Sequence, residues 1–256
     1  MFFAAIAIAR AAPLRVCADP SDLPFSDVAG HGFENEIAQV VSRNLKRPLE
    51  YRWIPQRDKF FKAIEQGACD MAMEAPVGLP DIRTTRPFYR SSYVFVTRRD
   101  RHLHLHGLAD PRLAKLKIAL AALGADTASA PAARPLAARG ILRNVTWYRL
   151  YQNYLGVNHP EAPVEAVARG EVDVAIVWGP TAGYFAKQSK TPLNVTPITG
   201  ALARANGLTF SLAMAVHPGD EQLLRQLNGI IARRGPEIRR ILTRYGVPMT
   251  EGSRQK

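Results

Sequence analysis

The chain has 256 residues, and its 34 Lys and Arg against 22 Asp and Glu give a formal net charge of +12. That length buries one large core or two modest ones. The charge favours anionic partners, but Lys and Arg are dispersed, and the absence of helix-turn-helix, zinc-finger and RNP-type patterns argues against nucleic acid.

The chain opens on a short apolar run, FFAAIAIA at residues 2–9, followed by the small-x-small triplet Ala9-Arg10-Ala11. This predicts a secretion-signal remnant over residues 1–11, a mature start near Ala12 and a periplasmic location. The run is too short to span a bilayer, and no other segment is long and apolar enough to do so.

Residues 14–18 read as an apolar strand that ends in a polar loop at 19–26. Phe33, Ile37, Val40, Val41 and Leu45 then recur at helical spacing. Residues 49–54 alternate like a strand, and Asp58 caps a predicted helix carrying Phe60, Phe61 and Ile64 that stops at Gly67. Strands follow at 71–74 and, rich in β-branched and aromatic residues, at 90–99. Strand–helix alternation of this kind predicts a parallel sheet with right-handed crossovers.

A second α/β unit follows, with strands expected at 116–123, 145–148, 172–178 and 193–195 and helices at 132–139, 164–169 and 181–188. Residues 206–216 read as a long strand, and two closing helices are expected at 221–232 and 236–245. Connections near residues 97–106 and 200–206 are the expected crossings between two lobes with a hinge and a cleft. The expected division is residues 12–97 plus 206–256 for lobe I and 98–205 for lobe II.

Cys17 and Cys69 are the only cysteines. An even count in an exported chain permits one disulfide, and both lie at predicted strands of one sheet. The alternative is two buried free thiols. No CxxC motif supports redox catalysis.

Three stretches, CADPSDLPFS, GFENEIAQVVSRNL and CDMAMEAPVGLPDIRTTRPFYRSSYVFV, together with GEVDVAIV and the closing segment at 220–247, resemble the family-3 extracellular solute-binding proteins. The resemblance implies an α/β fold of type II periplasmic binding protein form. Each lobe would be a mixed, mostly parallel sheet flanked by helices. Amino-acid binders of that family hold the ligand carboxylate with an Arg in a T-x-x-R turn and the ammonium with an Asp beyond the second-lobe G-x-x-D. Here the turn reads APVGLPDIRTT, and Trp178 of WGP stands in the place of that Asp. An indole cannot neutralise an ammonium, although it offers a stacking face or a plug.

As a set, CADPSDLPFS, GFENEIA, TTRPFYRSSYVFV and GEVDVAIVWGPTAGYFA resemble a narrower group, the quinoprotein-dehydrogenase-associated substrate-binding proteins, which are J-type accessory proteins of methanol dehydrogenase clusters. This implies a non-catalytic periplasmic protein without a cofactor of its own. Its partner would be a PQQ-dependent alcohol dehydrogenase or its cytochrome, with a small ligand or peptide in the cleft. Alternatives are a transporter receptor for a small solute that is not an amino acid, and a cleft-carboxylate enzyme on the same fold.

Ligands of open α/β sheets sit at strand ends. The cleft candidates are therefore Asp19, Pro20, Phe25, Pro76 and Arg83 from the first lobe, Tyr89, Arg90 and Ser91 beside the hinge, and Trp178, Gly179 and Tyr184 from the second. His102, His104 and His106 would share one face if they lay on a strand, but a surface loop is the better reading and no metal is expected. Glu34, Glu36, Asp70 and Glu74 are the carboxylates open to acid–base work. No nucleophile elbow, H-E-x-x-H or P-loop occurs, so an enzyme is not expected.

Overall fold

A computed structural model describes residues 11–55, 58–79, 81–123, 130–150 and 159–250. The signal remnant predicted over residues 1–11 thus lies almost wholly outside the described residues. The first half runs β1 (Leu14–Ala18), a two-strand hairpin of β2 (Ser21–Asp22) and β3 (Ser26–Asp27), α1 (Phe33–Leu45), β4 (Leu49–Trp53), α2 (Asp58–Glu65), β5 (Met71–Pro76), β6 (Arg83–Thr84) and β7 (Tyr89–Arg98). The second runs β8 (Ile118–Leu123), α3 (Ala133–Ala137), β9 (Val145–Leu150), α4 (Ala162–Arg169), β10 (Val174–Trp178), α5 (Gly179–Gln188) and β11 (Leu193–Pro197). It is followed by α6 (Ala201–Ala205), β12 (Thr209–Val216) and α7 (Glu221–Arg244).

β1 lies parallel to β4 and β5, and β8 lies parallel to β9 and β10, as crossover helices require. The two parallel sets join through antiparallel strands, in the order β4-β1-β5-β12-β7-β10-β8-β9. β7 is the shared element. Tyr89 to Ser92 pair with β12, whereas residues from Tyr93 onward pair with β10 and β11.

Strand alternation sorts the core onto two faces of each half. Leu14, Val16, Met73 and Met214 pack with Phe33, Ile37, Leu227 and Leu242 of α1 and α7. On the opposite face Cys17, Ala72 and Ala215 meet Phe60 and Ile64 of α2. Cys17 and Cys69 form a disulfide there, with Cα atoms 5.6 Å apart. In the second half Phe95, Leu120 and Ile176 face one side, and Val94, Val96 and Val177 face the other. Burial on both faces explains why these strands read as unbroken apolar runs.

Two expectations are corrected. The two closing helices are a single 24-residue helix, α7, with Pro236 inside it. Proline in a helix interior costs about 3 kcal/mol and clashes with the preceding turn. Here Leu223, Leu227, Ile230 and Ile231 before it and Ile238, Ile241 and Leu242 after it are all buried in register on one face, which holds the helix through the break. Gly235, lacking a Cβ, eases the restriction on the residue before proline. The strand expected at 206–216 also starts later, at Thr209, because α6 and a turn at Gly207 (φ +60°) occupy the chain before it.

Candidate functional site

The place where β7 changes partners carries a row of aromatic side chains. Tyr93 is the register partner of Trp178, and Ser91 is the partner of Phe210. The Trp178 ring lies 5.6 Å from Tyr93 and 5.5 Å from Phe210, the latter edge to face. Edge-to-face and tilted arrangements of this kind suit the ring quadrupoles. Burial pushes the Tyr93 phenol up to about 12, so it stays neutral across the physiological range. Trp178 is half-buried and begins α5 directly from the end of β10, with Pro180 in the first turn.

α5 then lies against the chain that leaves α7. A Cβ on Gly179 would stand 2.5 Å from the Ser92 carbonyl oxygen and 2.8 Å from Pro248. On Gly183 it would stand 1.9 Å from the Gly246 carbonyl oxygen. Only glycine at both positions permits this backbone approach, one helical turn apart. The tail is also tied to β7: Ser91 Oγ donates to the Pro248 carbonyl (2.7 Å), the Thr250 N–H donates to the Arg90 carbonyl (2.9 Å), and Ser91 forms a β-bridge with Met249. Lys187 Nζ donates to the Arg244 carbonyl at 2.7 Å. Residues 246–250 thus strap α5 to the shared strand.

The loop after β1 closes onto the start of α1. The N–H groups of Phe33 and Glu34 donate to the Pro24 and Phe25 carbonyls, both at 2.9 Å, so two free donors of the helix start are used internally. A Cβ on Gly32 would stand 2.0 Å from the Phe25 carbonyl oxygen. Phe25 meets Phe33 (5.3 Å), Phe33 meets Tyr245 (5.9 Å), and Tyr245 stacks on Tyr184 (5.9 Å). Tyr245 Oη lies 2.5 Å from the His31 carbonyl oxygen and 2.9 Å from Glu36 Oε1. Burial and the adjacent Glu36 carboxylate push that phenol well above its ordinary value.

Of the residues singled out in sequence, Phe25, Tyr89, Arg90, Ser91, Trp178, Gly179 and Tyr184 belong to this connected region. Asp19 is buried in the connection from β1 to β2, where its carboxylate accepts from the Ser21 N–H at 2.9 Å, and Pro20 sits beside it. Pro76 ends β5 opposite Leu212. Arg83 is placed elsewhere: it lies opposite Val216 and pairs with Glu221 at 3.0 Å, six residues and about 20 Å along β12 from Phe210. Sequence reading missed Tyr93, Phe210, Tyr245 and the tail from Gly246. Tyr93 and Phe210 alternate with small residues in their strands, but nothing local marks the crossing they cover.

The carboxylates considered for acid–base work have structural partners or burial instead. Burial pushes Asp70 up, but the Arg15 N–H, the Arg15 guanidinium and Arg47 outweigh it and hold the carboxyl below its ordinary range. Glu36 bonds Arg244 and Tyr245. Glu34 and Glu74 are buried, and Glu74 (φ +58°) is the extra residue of a bulge where β5 meets β12. His102, His104 and His106 lie in an exposed non-strand segment, with His102 in the left-handed region. Among the described residues no three His, Cys, Asp or Glu side chains are grouped to hold a metal ion, and no helix is long and apolar enough to cross a membrane.

Known proteins share this architecture. The family described as bacterial extracellular solute-binding protein matches residues 59–247. Protein MoxJ of Paracoccus denitrificans is 33% identical, over 96% of this chain and 92% of its own length. The crystal structure of the periplasmic binding protein XoxJ from Methylobacterium extorquens AM1 is also 33% identical, with a TM-score of 0.76 over 93% of this chain and 100% of that one. MxaJ of Methlophaga aminisulfidivorans MPT, at 23% identity and a TM-score of 0.79, shares the fold over 93% of this chain and the whole of that one. These relatives indicate a periplasmic or extracellular location. The chain belongs to the MoxJ-type proteins of the bacterial extracellular solute-binding family and has the type II periplasmic binding protein fold.

Proposed function

We propose that the protein is a non-catalytic periplasmic accessory of a PQQ-dependent alcohol (methanol) dehydrogenase system. It would engage the dehydrogenase or its cytochrome during activation or maturation. In this reading residues 12–97 with 206–256 form one lobe and 98–205 the other, with β7 shared between their cores. The aromatic region around Trp178, Tyr184 and Phe25 lies at their junction.

The observation that carries the reading is Trp178. An amino-acid receptor of this family places a carboxylate at the end of this strand. Here an indole sits between Tyr93 and Phe210, and the helix it starts is strapped by the tail. A surface of this kind suits an apolar protein segment better than a zwitterion. The MoxJ-type likeness supports the choice of partner.

The test is affinity capture from a periplasmic extract with the wild-type protein and Trp178→Ala, followed by mass spectrometry. Wild type should retain a PQQ alcohol dehydrogenase or its cytochrome. The variant should melt as a folded protein and retain about tenfold less, because a lost aromatic anchor costs 2 kcal/mol or more. Equal retention by both proteins would sink the role of Trp178. A small molecule released on denaturation, with no protein captured, would make the chain a solute receptor.

A further inference from the structure

α7 carries six arginines, at 225, 233, 234, 239, 240 and 244, against two glutamates, Glu221 and Glu237. Its apolar stripe is buried against α1 and the sheet, so the helix presents charge rather than an insertion face. Arg233, Glu237, Arg240 and Arg244 follow one another at spacings of four, three and four, which puts them on one stripe. That stripe borders α1 across a groove of about 350 Å³. Val40 and Ile241 line it, and Glu36, Arg43, Glu237, Arg240 and Arg244 supply its charge.

Both groove carboxylates are already engaged. Glu237 accepts from Arg43 at 3.2 Å, and Glu36 bonds Arg244 and the Tyr245 hydroxyl. Arg234 donates to Asn44 Oδ1 at 3.1 Å. Arg240 in the groove remains exposed, with no carboxylate partner among the described residues, and so does Arg233, two turns earlier on the same stripe, whose guanidinium lies over Gly229. An exposed cation without a carboxylate partner contributes little to the stability of the isolated chain. Every basic residue of α7 is arginine, whose planar fork suits a carboxylate better than an ammonium does.

We infer that the α1–α7 groove is a docking site for an acidic segment of a partner protein, one Asp or Glu of which lies over Val40 and Ile241 with its carboxylate on Arg240, while a second acidic residue reaches Arg233 two turns back along the stripe. This rests on the proposal above only for the name of the partner. The buried apolar face of α7 argues against a membrane surface as the occupant, because no apolar side chain of the stripe is left to insert.

The test uses the full chain, an Arg233→Glu/Arg240→Glu variant and a control, Lys115→Glu/Arg149→Glu, which removes the same charge from exposed positions near β8 and on β9. The probe is a fluorescein-labelled ten-residue peptide of alternating Glu and Gly, followed by anisotropy. Wild type and control should bind alike, the groove variant should bind about tenfold more weakly or worse, and added salt should weaken binding. Unchanged binding by the groove variant, or an equal loss in the control, overturns the inference. Wild type that sediments with phosphatidylglycerol vesicles but ignores the peptide also overturns it, in favour of a membrane surface. Arg240→Gln replaces the double variant if that does not fold. Capture from periplasmic extract separates the two claims. A dehydrogenase held by wild type and by the groove variant leaves the partner but refutes the groove. Peptide binding that behaves as expected with no dehydrogenase captured leaves the groove but refutes the partner.

Discussion

The junction at Trp178 and the groove between α1 and α7 both draw on the closing segment of the chain, and they treat their surfaces in opposite ways. At the junction the chain spends most of its contacts on itself and leaves Trp178 half-buried: Trp178 lies against Tyr93 and Phe210, Gly183 lies against Gly246, and Ser91 bonds Pro248. On the groove side of α7 the chain leaves Arg240, and Arg233 two turns back, without carboxylate partners among the described residues. Self-satisfaction contributes stability, whereas unspent charge contributes only the capacity to meet something else. The Arg15–Asp70–Arg47 cluster makes the same point from the other side, because its charges are spent inside the fold.

The largest effect should come from Gly183→Ala. Helix propensity alone would make this change stabilising by about 1 kcal/mol. The 1.9 Å approach of the new Cβ to the Gly246 carbonyl oxygen reverses the sign, and a loss of about 3 kcal/mol is expected in urea unfolding. A gain in stability would mean that the tail does not hold α5, and the contrast between a filled junction and an open groove would fail.

Asp70→Asn should cost about 2 kcal/mol at neutral pH, because hydrogen bonds from two arginines to a charged acceptor are lost. The folded-state carboxyl titrates below its ordinary value, so its stabilisation is present above the unfolded value near 4 and is lost as pH falls through the folded one. The difference between wild type and variant should therefore shrink progressively below about pH 4. A pH-independent difference would mean that packing, not charge, is what Asp70 supplies.

Arg240→Gln should have the smallest effect, within about 0.5 kcal/mol, because an exposed cation without a partner contributes little to folding. A thermal melt checks this. A large loss would mean that Arg240 is spent inside the fold after all and would erase the contrast with Asp70.

Much of the architecture was legible in the sequence because it is local. The spacing of Phe33, Ile37, Val40 and Val41 marks α1, and the unbroken run Val174–Trp178 marks a strand buried on both faces. That Trp178 stands where the resemblance places a ligand carboxylate remains an expectation of the sequence, since it rests only on a strand end and a residue type. The sequence permits the Cys17–Cys69 bridge, which the structure forms, but cannot by itself separate it from two free thiols, because strand adjacency is a property of the sheet and not of either strand.

Three features were decided by tertiary structure alone. Local rules break α7 at Pro236, but apolar residues in register on both sides of it hold one helix. β7 reads as one strand, yet only the assembled sheet makes it exchange β12 for β10 between Ser92 and Tyr93 and so turns Tyr93 and Phe210 into neighbours of Trp178. Residues 246–250 have no periodicity to read, and their role as a strap comes from glycines that lie more than sixty positions apart in sequence and touch through their backbones. The sequence by itself determined most of the elements, because each is carried by side chains within one helix or one strand, and the net charge, which is a sum over residues. Which charges are spent and which surfaces are filled depends on contacts between distant residues, and only the folded chain decides those.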